Sequence, residues 1–140
     1  MQCTIMGHPI HSDAVRKAYD LFDHNGIIIA SPRKTDIESM DAYIQLDLEE
    51  KEISEPGQLS QRGMRLLDVL LKSIRCSDFV YVVNPYNNFD SRQNFAAGYA
   101  HALGKYIFSS CRVEDSPCGA YVKIFSPREA LDFLRQRHDF

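Results

Sequence analysis

Short apolar runs alternate with helically spaced apolar residues, and this alternation constrains the fold more than any other feature of the chain. The strongest run is Phe79–Val83, which contains only the β-branched and aromatic residues typical of strands. Residues 27–30 form another continuous apolar run, of the kind shown by a strand buried on both faces. Strands that alternate with helices pair in parallel, so the sequence predicts a three-layer α/β domain, flavodoxin-like or Rossmann-like, with a parallel five-stranded sheet.

The remaining elements are predicted from the same two patterns. Shorter apolar runs predict strands at residues 3–6, 106–108 and 121–125. Helical spacing of apolar residues predicts helices that start near Ser12, residue 63, Ser91 and Ser126, and the three serines are suitable N-caps. Asn25-Gly26 and Gly104 are predicted to end the helices that precede them.

Residues 33–62 interrupt the alternation. They are polar and mostly acidic, and Pro56-Gly57 divides them. We expect a short helix over residues 41–50 followed by a loop. A segment this long between strands is a lid or an insertion. Because 140 residues leave little room for a second core, the sequence predicts one domain over residues 1–140.

Charge and cysteine usage exclude several classes of function. The net charge of −3 gives no broad attraction to nucleic acid, and no apolar run reaches membrane-spanning length. The four cysteines form neither a CxxC pair nor a ligand-like spacing with histidine, so we expect no metal site. The N-terminus shows no signal-peptide pattern, so we expect a cytoplasmic protein with reduced thiols. We also expect no cofactor.

Ligands of a parallel sheet bind at the carboxyl ends of its strands, at the topological switch point. Residues 7–11, 31–36 and 84–90 follow predicted strands. Gly7 could admit a ligand close to the backbone, or merely make the turn, and His8 could stack on or hydrogen-bond a base. Arg33 could pair with a phosphate, or be a solvated surface charge.

The loop after Phe79–Val83 carries more polar residues than a turn needs. Asp90 could bind a ribose hydroxyl, while Ser91 and the helix N-terminus could hold a 5′-phosphate, reinforced by Arg92. Tyr86 and Phe95 could stack on a base, although Phe95 fits a core position equally well. The candidate ligand-binding residues are therefore Gly7, His8, Arg33, Asn84, Tyr86, Asp90, Ser91, Arg92 and Phe95.

A family motif becomes visible between residues 76 and 110. A helix ending at Asp78 leads into the apolar strand, and Asp90, Phe95, Gly98, Ala100 and Gly104-Lys105 follow. In order and spacing these residues resemble the core of the nucleoside 2-deoxyribosyltransferase superfamily, which includes nucleotide N-glycosidases. The resemblance implies a nucleoside or nucleoside 5′-monophosphate as ligand, cleavage or transfer at its N-glycosidic bond, and a homo-oligomer.

The catalytic glutamate of that family has no counterpart here. The family places this carboxylate two positions before the glycine, where it attacks or stabilises the anomeric carbon as in retaining glycosidases. That position is Ala96. The chain could be a variant engineered to trap its ligand, a natural non-catalytic relative, or a protein in which Asp90 has taken over. The catalytic candidates are accordingly Ala96, as the position of the glutamate, and Asp90.

Three functions are therefore under consideration. The first is a nucleoside or nucleotide N-glycosidase or glycosyltransferase that is inactivated at Ala96. The second is a non-catalytic nucleotide-binding sensor module. The third is a flavodoxin-like or TIR-like interaction domain, which the spacing from Asp90 to Gly98 disfavours.

Overall fold

A five-stranded sheet, parallel between every neighbouring pair of strands, forms the centre of the fold. The structure is a computed structural model and describes residues 1–7, 12–35, 61–84, 89, 91–114 and 116–138. The strand order is β2-β1-β3-β4-β5, which confirms the predicted three-layer flavodoxin-like fold. The strands are β1 (Gln2–Gly7), β2 (Ile28–Ser31), β3 (Phe79–Val83), β4 (Tyr106–Ser109) and β5 (Lys123–Ile124).

Helices cover both faces of this sheet. Within the described part of the chain they are α1 (Ser12–His24), α2 (Gln61–Cys76), α3 (Ser91–Ala102) and α4 (Pro127–Arg137), with a 3-10 helix at Pro117–Tyr121. Alternate residues of β3 enter two separate apolar clusters, because successive side chains of a strand point to opposite faces. Phe79, Tyr81 and Val83 pack with α1 and α4, whereas Val80 and Val82 pack with α2 and α3.

Glycine and serine set the helix boundaries as the sequence predicts. Gly26 has φ of 79° and Gly104 has φ of 73°, the left-handed conformation that ends a helix without steric cost. Ser126 begins α4 in a capping box: its hydroxyl accepts from the Glu129 N–H at 3.2 Å, and its own N–H donates to Glu129 Oε1 at 3.0 Å. Hydrogen bonding to the Glu129 carboxyl from the Ser126 backbone N–H, and secondly from the Ser126 side chain, lowers the pKa of that carboxyl.

Two strands differ from the prediction. Residues 27–30 were predicted to be buried on both faces, but β2 lies at the edge of the sheet, where Ile28 exposes 60% of its surface. An apolar run indicates that a strand forms, but it does not indicate how many other strands pair with it. The strand predicted over residues 121–125 is only Lys123–Ile124, because the 3-10 helix, capped by Ser116, extends to Tyr121. The helix predicted over residues 41–50 lies outside the described residues.

A pair of backbone contacts at the amino edge holds β1 against β3. The Gln2 N–H donates to Asp78 Oδ2 at 2.8 Å, and the Asp78 N–H donates to the Gln2 carbonyl at 2.8 Å. Next to this pair, the Thr4 and Ser77 hydroxyls lie 2.8 Å apart, and Ser77 donates to the Ser73 carbonyl at 2.6 Å. The hydrogen bonds of Gln2 with Asp78 and of Thr4 with Ser77 thus join the start of β1 to the two residues before β3.

Two glycines differ sharply in what surrounds them. A Cβ on Gly7 would collide with Val15 Cγ2 of α1 and lie 3.3 Å from Val83 Cβ, so α1 reaches β1 only because residue 7 has no side chain. A Cβ on Gly98, within α3, would have no described atom within 4 Å.

No helix in the described part of the chain is long and apolar enough to cross a bilayer.

We expect Gly7→Ala to lower the free energy of unfolding by about 1–3 kcal/mol, the usual cost of overpacking. The matched control is Gly98→Ala, which we expect to raise it by about 0.5–1 kcal/mol, because alanine favours a helix and meets no neighbour there. Urea denaturation of the two variants measures both values. Equal stability of Gly7→Ala and the parent chain would contradict the close approach of α1.

Candidate functional site

The switch point of the sheet lies between β1 and β3. The chain passes from β1 through α1 to β2 on one side and from β3 to β4 on the other, so the connections that leave the two central strands go in opposite directions. Gly7 and Val83 pair there, and Asn84 follows directly. The helix that follows β3 starts at Ser91, so its N-terminus lies at the same edge. Ligands of this strand order bind at such a point, and helix N-termini attract anions.

Asn84 is held at the edge by β4. It exposes 3% of its surface, and its N–H donates to Ser110 Oγ at 2.7 Å. The neighbouring Ser109 is completely buried, and its hydroxyl donates to the Cys111 carbonyl at 2.7 Å. These two serines are not among the predicted site residues, although two polar residues directly after the apolar run 106–108 indicate the end of a strand. They support the backbone after β3 and β4.

Ala96 lies in the apolar cluster beside this edge. It has no exposed surface and packs in the cluster of Met6, Val82, Phe89 and Val113. The cluster also contains Met6 and Val82 of the two central strands, which directly precede Gly7 and Val83 at the switch point. A carboxyl group at position 96 would therefore enter an apolar part of the core.

Other candidate residues are spread around the edge. Arg33 is exposed beyond β2, on the far side of β1 from β3. Arg92 is exposed in the first turn of α3. Phe95 exposes 53% of its surface, which excludes a core position, and one residue of helix turns its side chain about 100° away from that of Ala96. His8, Tyr86 and Asp90 lie outside the described residues, as does the side chain of Ser91.

A side-chain network fastens the 3-10 helix to α3. Ser116 Oγ donates to Asn94 Oδ1 at 2.6 Å and accepts from the Cys118 N–H at 3.2 Å. Asn94 Nδ2 donates to the Phe89 carbonyl at 3.2 Å, and the Cys118 thiol lies 3.6 Å from the Asn94 carbonyl. Asn94 therefore joins Phe89, before α3, to the segment after β4.

The buried titratable groups of the core have structural roles. Burial raises the pKa of the Cys3 thiol, which stays protonated and unreactive in the sheet. Burial also raises the pKa of the Tyr81 hydroxyl, which donates to the Phe125 carbonyl at 2.9 Å. All four cysteines are free thiols. Within the described ranges no three His, Cys, Asp or Glu side chains are grouped so that they could hold a metal ion.

Comparison with known proteins does not assign a family to this geometry. Family models, curated proteins and solved structures give no match to the chain.

The burial of Ala96 predicts a pH-dependent cost for restoring the carboxylate. We expect Ala96→Glu to be destabilised, and more strongly as the pH rises, because desolvation raises the pKa of a buried carboxyl in the folded state. Above the unfolded pKa of about 4.3, the unfolded chain loses the proton first, so stability falls by up to about 1.4 kcal/mol per pH unit until the folded pKa is reached. Urea denaturation between pH 4 and pH 8, a range that spans this pKa, measures the slope.

The matched control is Ala96→Gln, which has nearly the same shape and no charge to titrate. We expect its cost to stay constant relative to the parent over the same pH range. If Ala96→Glu and Ala96→Gln behaved alike, position 96 would have access to water or to polar partners, and the apolar environment described above would be incorrect.

Proposed function

We propose that the protein binds a nucleoside or nucleoside 5′-monophosphate at the carboxyl edge between β1 and β3 and does not cleave its N-glycosidic bond. The observation that carries this proposal is the burial of Ala96 in the apolar cluster that also contains Met6 and Val82 of the two central strands. This strand order provides a place for a ligand at the switch point, but position 96 lacks the carboxylate that cleavage of the glycosidic bond requires.

A nucleotide suits the described edge for two reasons. The N-terminus of α3 is the positive end of the helix dipole, which favours a phosphate. Arg92, exposed in the first turn of that helix, can add a charge-assisted hydrogen bond. The resemblance to nucleoside 2-deoxyribosyltransferases supports the same class of ligand, through the spacing from Asp90 to Gly104-Lys105.

Cleavage would require a group that this chain does not place at position 96. As the base departs, the anomeric carbon develops positive charge, and a carboxylate must either attack it or stabilise it. The methyl group of Ala96 has no lone pair for either role, and loss of a covalent nucleophile removes several orders of magnitude in rate. Without that step, a bound nucleotide would leave unchanged, which is the behaviour of a sensor module.

The second candidate is an active N-glycosidase or glycosyltransferase whose glutamate has been replaced. The intact spacing from Asp90 through Phe95 and Gly98 to Gly104-Lys105 favours it. Under this alternative, Ala96→Glu should release free base from its substrate.

A cytoplasmic homo-oligomer also remains a prediction. Exposed Met64 on α2 and Phe95 on α3 offer apolar surface for self-association.

We expect the parent chain to bind a nucleoside 5′-monophosphate more tightly than the matching nucleoside, because only the former engages the N-terminus of α3. Arg92→Gln should weaken monophosphate binding by about tenfold, the usual value of a charge-assisted hydrogen bond, and leave nucleoside binding unchanged. Calorimetric titration of ribo- and deoxyribonucleosides and their 5′-monophosphates measures both, and chromatography of the same samples detects released base.

Arg128→Gln, an exposed arginine of α4, is the matched control and should bind like the parent chain. Failure of the parent to bind any nucleoside or monophosphate would overturn the proposed function. Binding without base release from the parent, followed by base release from Ala96→Glu, would establish the second candidate instead.

A further inference from the structure

A separate open groove lies beyond β4 and β5, at the far end of the sheet from β2. Its volume is about 660 Å³, within the range of small-molecule sites. The segment between β4 and β5, together with the end of β5, forms its walls. The residues that line it are Arg112, Val113, Ser116, Pro117, Gly119, Ala120, Val122 and Ile124.

The lining is about equally polar and apolar. Five of the eight described lining residues are apolar, namely Val113, Pro117, Ala120, Val122 and Ile124, and Ile124 exposes 45% of its surface to water. Among the described lining residues Arg112 carries the one charge, and it is exposed. Apolar side chains beside a guanidinium suit a ligand that joins an anionic group to a short apolar chain or ring.

The walls of the groove are fixed by contacts within the fold. Ser116 is tied to Asn94 of α3 by the 2.6 Å hydrogen bond between their side chains. On the opposite side, a Cβ on Gly119 would lie 2.7 Å from the Val113 carbonyl, so the two backbones approach as closely as they do only because residue 119 is a glycine. A wall held in this way does not have to be ordered by the ligand.

We propose that this groove binds a small amphipathic monoanion, with Arg112 pairing with its charged group and Val122 and Ile124 contacting its apolar part. The site is distinct from the switch point. It lies at β4 and β5, and two strand spacings, roughly 10 Å, separate β5 from β3. It therefore does not depend on the proposed nucleotide site, and the two can be tested on the same protein with different ligands.

Octanoate is a suitable probe, and its binding to the full chain can be followed by amide chemical shifts and by calorimetric titration. We expect octanoate to shift resonances of residues 112–124, and acetate, which has the charge without the chain, to bind at least about tenfold more weakly. Arg112→Gln should weaken octanoate by about tenfold and leave the neutral 1-octanol unaffected. Ala120→Trp, which fills the groove from an exposed position, should abolish binding of both.

Arg128→Gln serves as the control and should bind octanoate like the parent chain. No binding of octanoate to the parent, shifts that map outside residues 112–124, or undiminished binding by Arg112→Gln would each overturn the proposal. None of these results bears on the nucleotide titrations, so failure of this site and failure of the proposed function are distinguishable.

Discussion

The parallel pairing of β1 with β3 is the constraint on which the rest of the structure depends. Five residue pairs join the strands, from Cys3 with Phe79 to Gly7 with Val83. Because both strands lie inside the sheet, their side chains must be covered on both faces, and that need places α1 and α4 on one side and α2 and α3 on the other. The same pairing creates the switch point, since the chain leaves β1 in one direction and β3 in the other.

The sequence predicted the centre of this arrangement better than its edges. The bounds of β3 are those predicted, because β-branched and aromatic residues favour a strand and all five of these residues are buried in the sheet. The exposure of Ile28 was not predictable from the equally apolar run around it, because an edge position depends on which strands fail to pair there. At the site, sequence placed Gly7 and Asn84 at one edge, but it could not show that Ser110 supports Asn84 or that Phe95 points outward.

Several residues that carry the family resemblance also have structural roles in the fold. Asp78 binds the first strand through Gln2, Gly104 ends α3 in the left-handed conformation, and Ala100 fills the core. Any parallel sheet with this order needs such boundaries, so these residues argue for the fold more strongly than for an activity. Gly98 is different. No described atom lies within 4 Å of the place that its Cβ would take, so packing within the described chain does not require a glycine there.

The burial of Ala96 determines what a carboxyl group at this position would need. A carboxylate that serves catalysis is supported by donors that hold and orient it, and replacing only that side chain would leave those donors behind. Ala96 belongs to the buried hydrophobic cluster that α2 and α3 form with Val80 and Val82, while Asp90 and the side chain of Ser91 lie outside the described residues. A carboxyl group at position 96 would therefore need hydrogen bonds from outside this cluster, because without them its burial would cost stability.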